Sequence, residues 1–334
     1  MSRPVGAASA APRASPTRGA ADDSDDDDAG AAVKSNQPYR TDPKADALVA
    51  DAAKRMKSFS LFDKTTKYEE AIEMLEKAAS NYKMNKNWQE AGETYEKCAT
   101  ITAEKLRDEH SVSTHWENAA KSFKNVNPKA ALRAYQNAVE ILMENNKFAM
   151  AAKLWKEMGA INEKEHNVAA ALQTYEKAAN CYESDNSTSN ANAMFIKVAD
   201  LAADADDYKR AIAIYEKVAK GSLESSALRW GVKDYLFKAL LCHLVIHAPS
   251  HNLAPVQAKL DSYVDLCPHL DNTREKSLIE ELVGDFENQD SDAFADHVFR
   301  FDEIAPLDRW KSKVLLQVKK ALEGGNPDDG AVGV

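Results

Sequence analysis

From about Tyr68 to Ala219 the hydrophobic pattern repeats every 20 positions. Small residues stand at Ala71, Ala91, Ser111, Ala131, Ala151, Ala171, Ala191 and Ala211. Four residues after each comes a bulky one: Leu75, Tyr95, His115, Tyr135, Trp155, Tyr175, Phe195 and Tyr215. Eight after each comes Ala79, Ala99, Ala119, Val139, Gly159, Ala179, Ala199 and Ala219. Positions i, i+4 and i+8 share one face of a helix, so each set is a stripe on which a small residue admits a neighbouring helix and a ring fills the space beside it. Turn-forming residues break the stripes at Asn85-Lys-Asn, Asn125-Val-Asn-Pro128, Glu144-Asn-Asn146, Asp185-Asn-Ser and Asp204-Ala-Asp-Asp207. The pattern predicts eight helices over residues 67–220. Twenty residues per helix, or 40 per antiparallel pair, is a tetratricopeptide-like period with helices longer than the standard unit of ~34 residues. One repeat cannot cover its own apolar face, so the expected fold is an all-α solenoid, a twisted sheet of antiparallel helical hairpins with an extended concave face.

After Gly221 the period fails. The stretch from Ala227 to Leu322 carries longer helical patterns punctuated by Pro249, Pro255, Pro268 and Pro306, which predicts a C-terminal helical bundle closing the solenoid. Its last helix places Leu307, Trp310, Val314, Val318 and Leu322 on one face, as a docked structural helix does. At the other end, six carboxylates fall within Asp22–Asp28, and like charges that bury nothing are the mark of a disordered tail. The expected organisation is an acidic tail (1–43), the solenoid (44–222), the bundle (223–323) and a glycine- and acid-rich tail (324–334).

Composition narrows the function classes. The 334 residues carry 43 Lys plus Arg against 53 Asp plus Glu, a net charge of -10. That leaves no overall basic field for duplex nucleic acid. No apolar run approaches the ~20 residues of a membrane span, and the first twenty residues lack a secretory h-region. The four cysteines form no C-x-x-C pair, as expected of buried thiols in the reducing cytoplasm. Walker A, G-x-G-x-x-G, H-E-x-x-H and G-x-S-x-G motifs do not occur, so we expect no enzyme, no catalytic residues, no cofactor and no small-molecule substrate. His243 and His247, one turn apart, have the spacing of a zinc pair, but no acidic third ligand stands near and the segment Leu240–Ile246 reads as a buried helix; no metal is expected. Lysines are spread through the repeats, and each alone reads as a solvated helix residue; several on one face would make a groove for an acidic, rod-like partner. Phe59-Ser-Leu61-Phe62, just before the first stripe, either staples onto the first repeat or dips into a bilayer surface.

Several ordered passages resemble the soluble NSF-attachment proteins over residues 45–323: Tyr82-Lys-Met-Asn-Lys-Asn-Trp88-Gln-Glu-Ala-Gly, Asn127-Pro-Lys-Ala-Ala, Phe148-Ala-Met-Ala-Ala-Lys153, Ser189-Asn-Ala-Asn-Ala-Met-Phe-Ile-Lys197, Lys233-Asp-Tyr-Leu-Phe-Lys-Ala-Leu-Leu-Cys-His243, and Leu307-Asp-Arg-Trp310 with Leu315-Leu-Gln-Val-Lys-Lys. The resemblance implies an adaptor of vesicle fusion rather than an enzyme. Several copies would wrap the four-helix bundle of syntaxin-type and other SNAREs and recruit the hexameric ATPase NSF, which disassembles it. The location it implies is cytoplasmic, peripheral on the cytosolic face of membranes. By position, Lys86, Lys147, Lys153, Lys233 and Arg274 match the basic SNARE-binding set; Ala193 stands where the family often has another lysine, with Lys197 as its replacement. The resemblance turns Phe59, Leu61 and Phe62 toward the membrane-contact reading, although the loop is shorter here. For NSF it leaves Glu323, Asp328 and Asp329 as the acidic contacts, with Val332 or Val334 in place of the usual penultimate leucine. A generic tetratricopeptide-like interaction scaffold is the alternative.

Overall fold

A computed structural model describes residues 42–58 and 65–324, and the readings placed on 1–41, 59–64 and 325–334 lie outside the described residues. Helix formers dominate the described sequence and each turn carries its own stop signal, so the chain folds into fourteen α-helices with no strand among the described residues. A first helix, α1 (Pro43–Lys57), is followed by eight more: α2 (Thr66–Met84), α3 (Trp88–Ile101), α4 (Glu109–Phe123), α5 (Pro128–Glu144), α6 (Phe148–Lys164), α7 (Val168–Ser184), α8 (Thr188–Asp204) and α9 (Tyr208–Leu223). Five more follow: α10 (Val232–His247), α11 (Ala254–Leu266), α12 (Arg274–Asn288), α13 (Ser291–Ile304) and α14 (Arg309–Leu322). The described residues all belong to one unit.

The eight striped helices are α2–α9. Element α1, not assigned from the pattern, begins where Asp42 caps it by accepting from the Ala45 N–H at 3.0 Å. Its apolar side packs on α2 through Ala45 and Ala52, and Tyr82 and Arg55 tie the two helices to Asp46 and Glu70.

Five turns of the array are built identically. At the end of α5 the Lys147 N–H donates to the Leu142 carbonyl (2.8 Å) and the Asn146 N–H to the Met143 carbonyl (3.1 Å), the crossed pair of a Schellman motif. The same pair recurs after α2, α6, α7 and α8. Each turn needs one residue with positive φ, supplied by Lys86 (60°), Asn146 (56°), His166 (57°), Asn186 (58°) and Asp206 (61°). Asn, Asp and His tolerate this conformation better than other non-glycine residues, so the lysine is out of place there. Three-residue turns fold successive helices back into antiparallel hairpins.

Two junctions break the rule. Between α4 and α5 four residues turn the chain with no positive φ, the Val126 and Asn127 N–H groups both donating to the Phe123 carbonyl (2.9 and 2.8 Å). Between α3 and α4 the chain makes a π-helical turn, Thr102–Leu106, then Arg107 with φ 58° before Asp108 caps α4.

The stripes meet as the pattern requires. Ala131, Tyr135 and Val139, and Ala151, Trp155 and Gly159, are all buried in one continuous cluster or against it. Helices approach so closely that an added Cβ on Gly159 would lie 2.6 Å from the Tyr175 ring, and one on Gly92 would lie 2.4 Å from the Phe123 ring. Each buried ring contributes about 1.5–3 kcal/mol. The phenol ends of the rings reach carboxylates: Tyr175 donates to Glu163 (3.0 Å) and Tyr263 to Glu216 (2.7 Å).

Ion pairs between alternate helices define two layers. In one, Glu157 of α6 meets Lys124 at the end of α4 (2.7 Å), Glu163 of α6 meets Lys197 of α8 (2.8 Å), Asp200 of α8 meets Lys238 of α10 (3.0 Å), and Lys233 of α10 meets Glu275 of α12 (2.7 Å). In the other, Glu96 of α3 meets Arg133 of α5 (2.6 Å), Glu176 of α7 meets Arg210 of α9 (2.8 Å), and Glu216 of α9 meets Lys259 of α11 (2.8 Å). Beyond α9 the core changes. Helix α10 buries Leu236, Leu240, Leu241 and Leu244 among α9, α11, α12 and α14, being apolar on nearly every side.

Candidate functional site

The six basic residues predicted from sequence all belong to the layer of even-numbered helices or to its helix ends. Lys153, Lys197, Lys233 and Arg274 stand on α6, α8, α10 and α12; Lys147 is the N-cap residue of α6, and Lys86 follows α2. The structure brings no two of them into contact. It orders them along successive helices of one layer, about 40 residues per step.

Their states differ. Lys86, Lys147, Lys153 and Arg274 are exposed, with no ion-pair partner among the described residues. Lys197 is half-buried, pairs with Glu163 and lies over the Tyr175 ring at 5.9 Å. Lys233 is exposed but holds Glu275 at 2.7 Å; burial raises the pKa of that carboxyl, and the Lys233 hydrogen bond, a backbone hydrogen bond and the charges of Lys233 and Lys311 together outweigh it and leave the group below the usual carboxylate range. A partner engaging Lys197 or Lys233 must therefore compete with an acid of this chain, whereas Lys153 is available outright.

Two of the free lysines occupy positions that local stability does not favour. Lys86 carries a β-carbon into a left-handed backbone conformation, at a cost of about 1–2 kcal/mol. Lys147 stands at a helix N-cap, where Asn127, Asn167 and Asp207 each accept a backbone N–H in the corresponding turns. It makes no such bond and sets a positive charge against the positive end of the helix dipole.

Arg274 lines a shallow cavity between α12 and α13 with Arg300, Glu281 and His297. Arg300 was not singled out from sequence, because only the pairing of α12 with α13 places it beside Arg274. Glu323 is exposed and 3.4 Å from Lys319 at the end of α14. Phe59, Leu61, Phe62, Asp328 and Asp329 lie outside the described residues. His243 and His247 stack ring on ring at 6.2 Å, and no group of three or more His, Cys, Asp or Glu is placed to hold a metal ion among the described residues. The four cysteines are buried; burial pushes the Cys98 and Cys242 thiols up to about 12. No helix among the described residues is long and apolar enough to cross a membrane.

The family model "Soluble NSF attachment protein, SNAP" matches residues 43–323. The chain belongs to the soluble NSF attachment protein family. Among SNAP relatives, the beta-soluble NSF attachment protein of Bos taurus is 34% identical over 289 residues, covering 85% of this chain and 95% of that protein. The probable vesicular-fusion protein sec17 homolog of Schizosaccharomyces pombe is 35% identical over 287 residues, covering 85% and 98%. The human alpha-soluble NSF attachment protein is 34% identical over 291 residues, covering 85% and 97%. The 43–323 match begins at the first residue of α1 and ends one residue past α14, so the SNAP likeness spans both the array and the bundle.

Proposed function

We propose that this SNAP-family chain is an adaptor of vesicle fusion: its even-numbered layer grips the acidic SNARE four-helix bundle, and its C-terminal end recruits and stimulates the ATPase NSF, which takes that bundle apart. In this reading Lys86, Lys147, Lys153, Lys197, Lys233 and Arg274 face the SNAREs. Phe59, Leu61 and Phe62 touch the membrane on its cytosolic face, and Glu323, Asp328 and Asp329 meet NSF. The adaptor performs no chemistry itself; binding energy from its cations orients the substrate bundle for the ATPase. The observation that carries the reading is the placement of Lys86 and Lys147. Positions at which local stability selects Asn, Asp or His are held instead by lysine, and both belong to the layer that also bears Lys153 and Arg274 free of ion pairs. Residues that break a local rule without a structural return mark functional positions.

The test is reconstituted disassembly of a SNARE complex by NSF with ATP, with and without this chain. Disassembly is expected only with it, and the double reversal Lys153→Glu with Lys233→Glu is expected to abolish SNARE pull-down. Unchanged pull-down by the double variant would remove the SNARE-facing assignment.

A further inference from the structure

The irregular junction between α3 and α4 borders a cavity. It is lined by Glu69, Glu73 and Glu76 from α2, by Thr102 and Leu106 from the π-helical turn, and by Ser111 and His115 among others from α4. Glu69, Glu73 and Glu76 recur at i, i+4 and i+7, so one face of α2 points three carboxylates at the opening. His115 holds the stripe position that carries Leu, Tyr, Trp or Phe in every other repeat.

His115 is the second observation. Its side chain is only 5% exposed, and its Nδ1 is buried with no hydrogen-bond partner. Glu76 Oε1 lies 3.6 Å from it, beyond hydrogen-bond reach. Burial lowers the pKa of His115, while burial and then Glu73 raise that of Glu76, so the two do not form a settled ion pair. Elsewhere in the fold a phenol proton from the buried ring closes the neighbouring carboxylate, as Tyr175 does for Glu163 and Tyr263 for Glu216. With the ring proton on Nε2, His115 Nδ1 and the Glu76 carboxylate are two acceptors facing each other across 3.6 Å. A buried acceptor without a donor costs about 1–3 kcal/mol, which a donor entering from outside would recover. Glu76 is half-exposed and can swing to admit one.

We propose that this cavity binds an organic cation, an ammonium or guanidinium group that donates one N–H to His115 Nδ1 and another to Glu76, with Glu69 and Glu73 supplying the surrounding negative charge. Glu73 already pairs with Lys77 (2.7 Å), but a neutral ligand would leave the Glu69 and Glu76 carboxylates without a cation. A bare metal ion would need three converging ligands, which the described residues do not provide. The cation can come from a free polyamine or from a basic side chain of a peptide; the recognition chemistry is the same. The site is separate from the SNARE-facing lysines, so it stands or falls independently of the adaptor role.

Ring resonances of the eight histidines in the full, isotopically labelled chain provide the readout, with His115 identified by its loss in His115→Gln. Spermidine and N-acetyl-lysine amide are titrated separately, against sodium chloride of equal ionic strength. A saturable shift of the His115 signal is expected below ~10 mM of at least one amine, weakened about tenfold or more in Glu76→Gln. Response to spermidine alone assigns the site to polyamines, and response to both admits a peptide lysine; each supports the proposal. No saturable shift, an equal shift with sodium chloride, or an undiminished response in Glu76→Gln would overturn it, as would a response to zinc or calcium alone.

Discussion

In the array the large side chains sealed from solvent include Leu75, Phe123, Tyr135 and Tyr215, set among alanines; in the bundle six leucines, Leu236, Leu240, Leu241, Leu244, Leu260 and Leu270, are sealed with Phe237 and Phe294. Ring-against-alanine packing works only in register, because each ring must meet a gap of its own size. Leucine packing among helices at varied angles tolerates drift. The first arrangement therefore writes a 20-residue period into the sequence, and the second leaves only a general apolar signal. The proposed partner-facing cations divide along the same line: Lys86 and Lys147 stand at turns of the array, and Arg274 is set beside Arg300 by the pairing of α12 with α13 in the bundle.

Substitutions can break this comparison in order of size. Leu240→Ala, in the sealed centre of the bundle, is expected to lower stability by about 3 kcal/mol in urea unfolding. In the array the sensitive change is an addition: Gly159→Ala drives a methyl into the Tyr175 ring and is expected to cost about 2 kcal/mol. Gly284 of α12 has nothing within 4 Å of its added Cβ, so Gly284→Ala in the bundle should instead gain about 0.5–1 kcal/mol. Equal effects at the two glycines would dissolve the contrast. Lys86→Gly and Lys147→Asp should each stabilise by about 1 kcal/mol in thermal melts while weakening SNARE pull-down.

Acid gives an effect that is absent at neutral pH. An unfolded histidine titrates near 6.5, whereas burial, then Lys259, hold His243 of α10 down to about 4. The folded value lies below the unfolded one, so this contribution is complete above pH 6.5 and is lost progressively as pH falls toward 4. His243→Leu should flatten the stability curve in that window and leave it unchanged above.

The sequence carried the array further than the bundle, and cations further than their partners. Ala131-Tyr135-Val139 announces a helix face because its spacing is local. Helix α1 was not assigned from the pattern, since one helix shows no period. Lys197 and Lys233 were readable as cations, but their attachment to Glu163 and Glu275 depends on which helices lie side by side. The π turn left no trace in the pattern: Ala91 and Ser111 remain 20 apart, because the extra turn lengthens one helix end while α4 starts later. The one visible sign was His115, a ring of the wrong kind in its column.

The ion pairs within each layer of the array join residues 33 to 38 positions apart, as Lys124–Glu157 and Lys238–Asp200 show, whereas Asp234 of α10 waits for Lys311, 77 positions on. At ~5–20 residues per second of synthesis, a repeat and its neighbour can close within ~2–8 s of leaving the ribosome. Helix α10 must stand several seconds longer with its leucines uncovered until α14 emerges. During birth of the chain, the stretch around Leu236–Leu244 is therefore the one that most needs shelter from a chaperone, and translation speed over the final hundred codons should govern the yield of folded protein more than speed over the repeats.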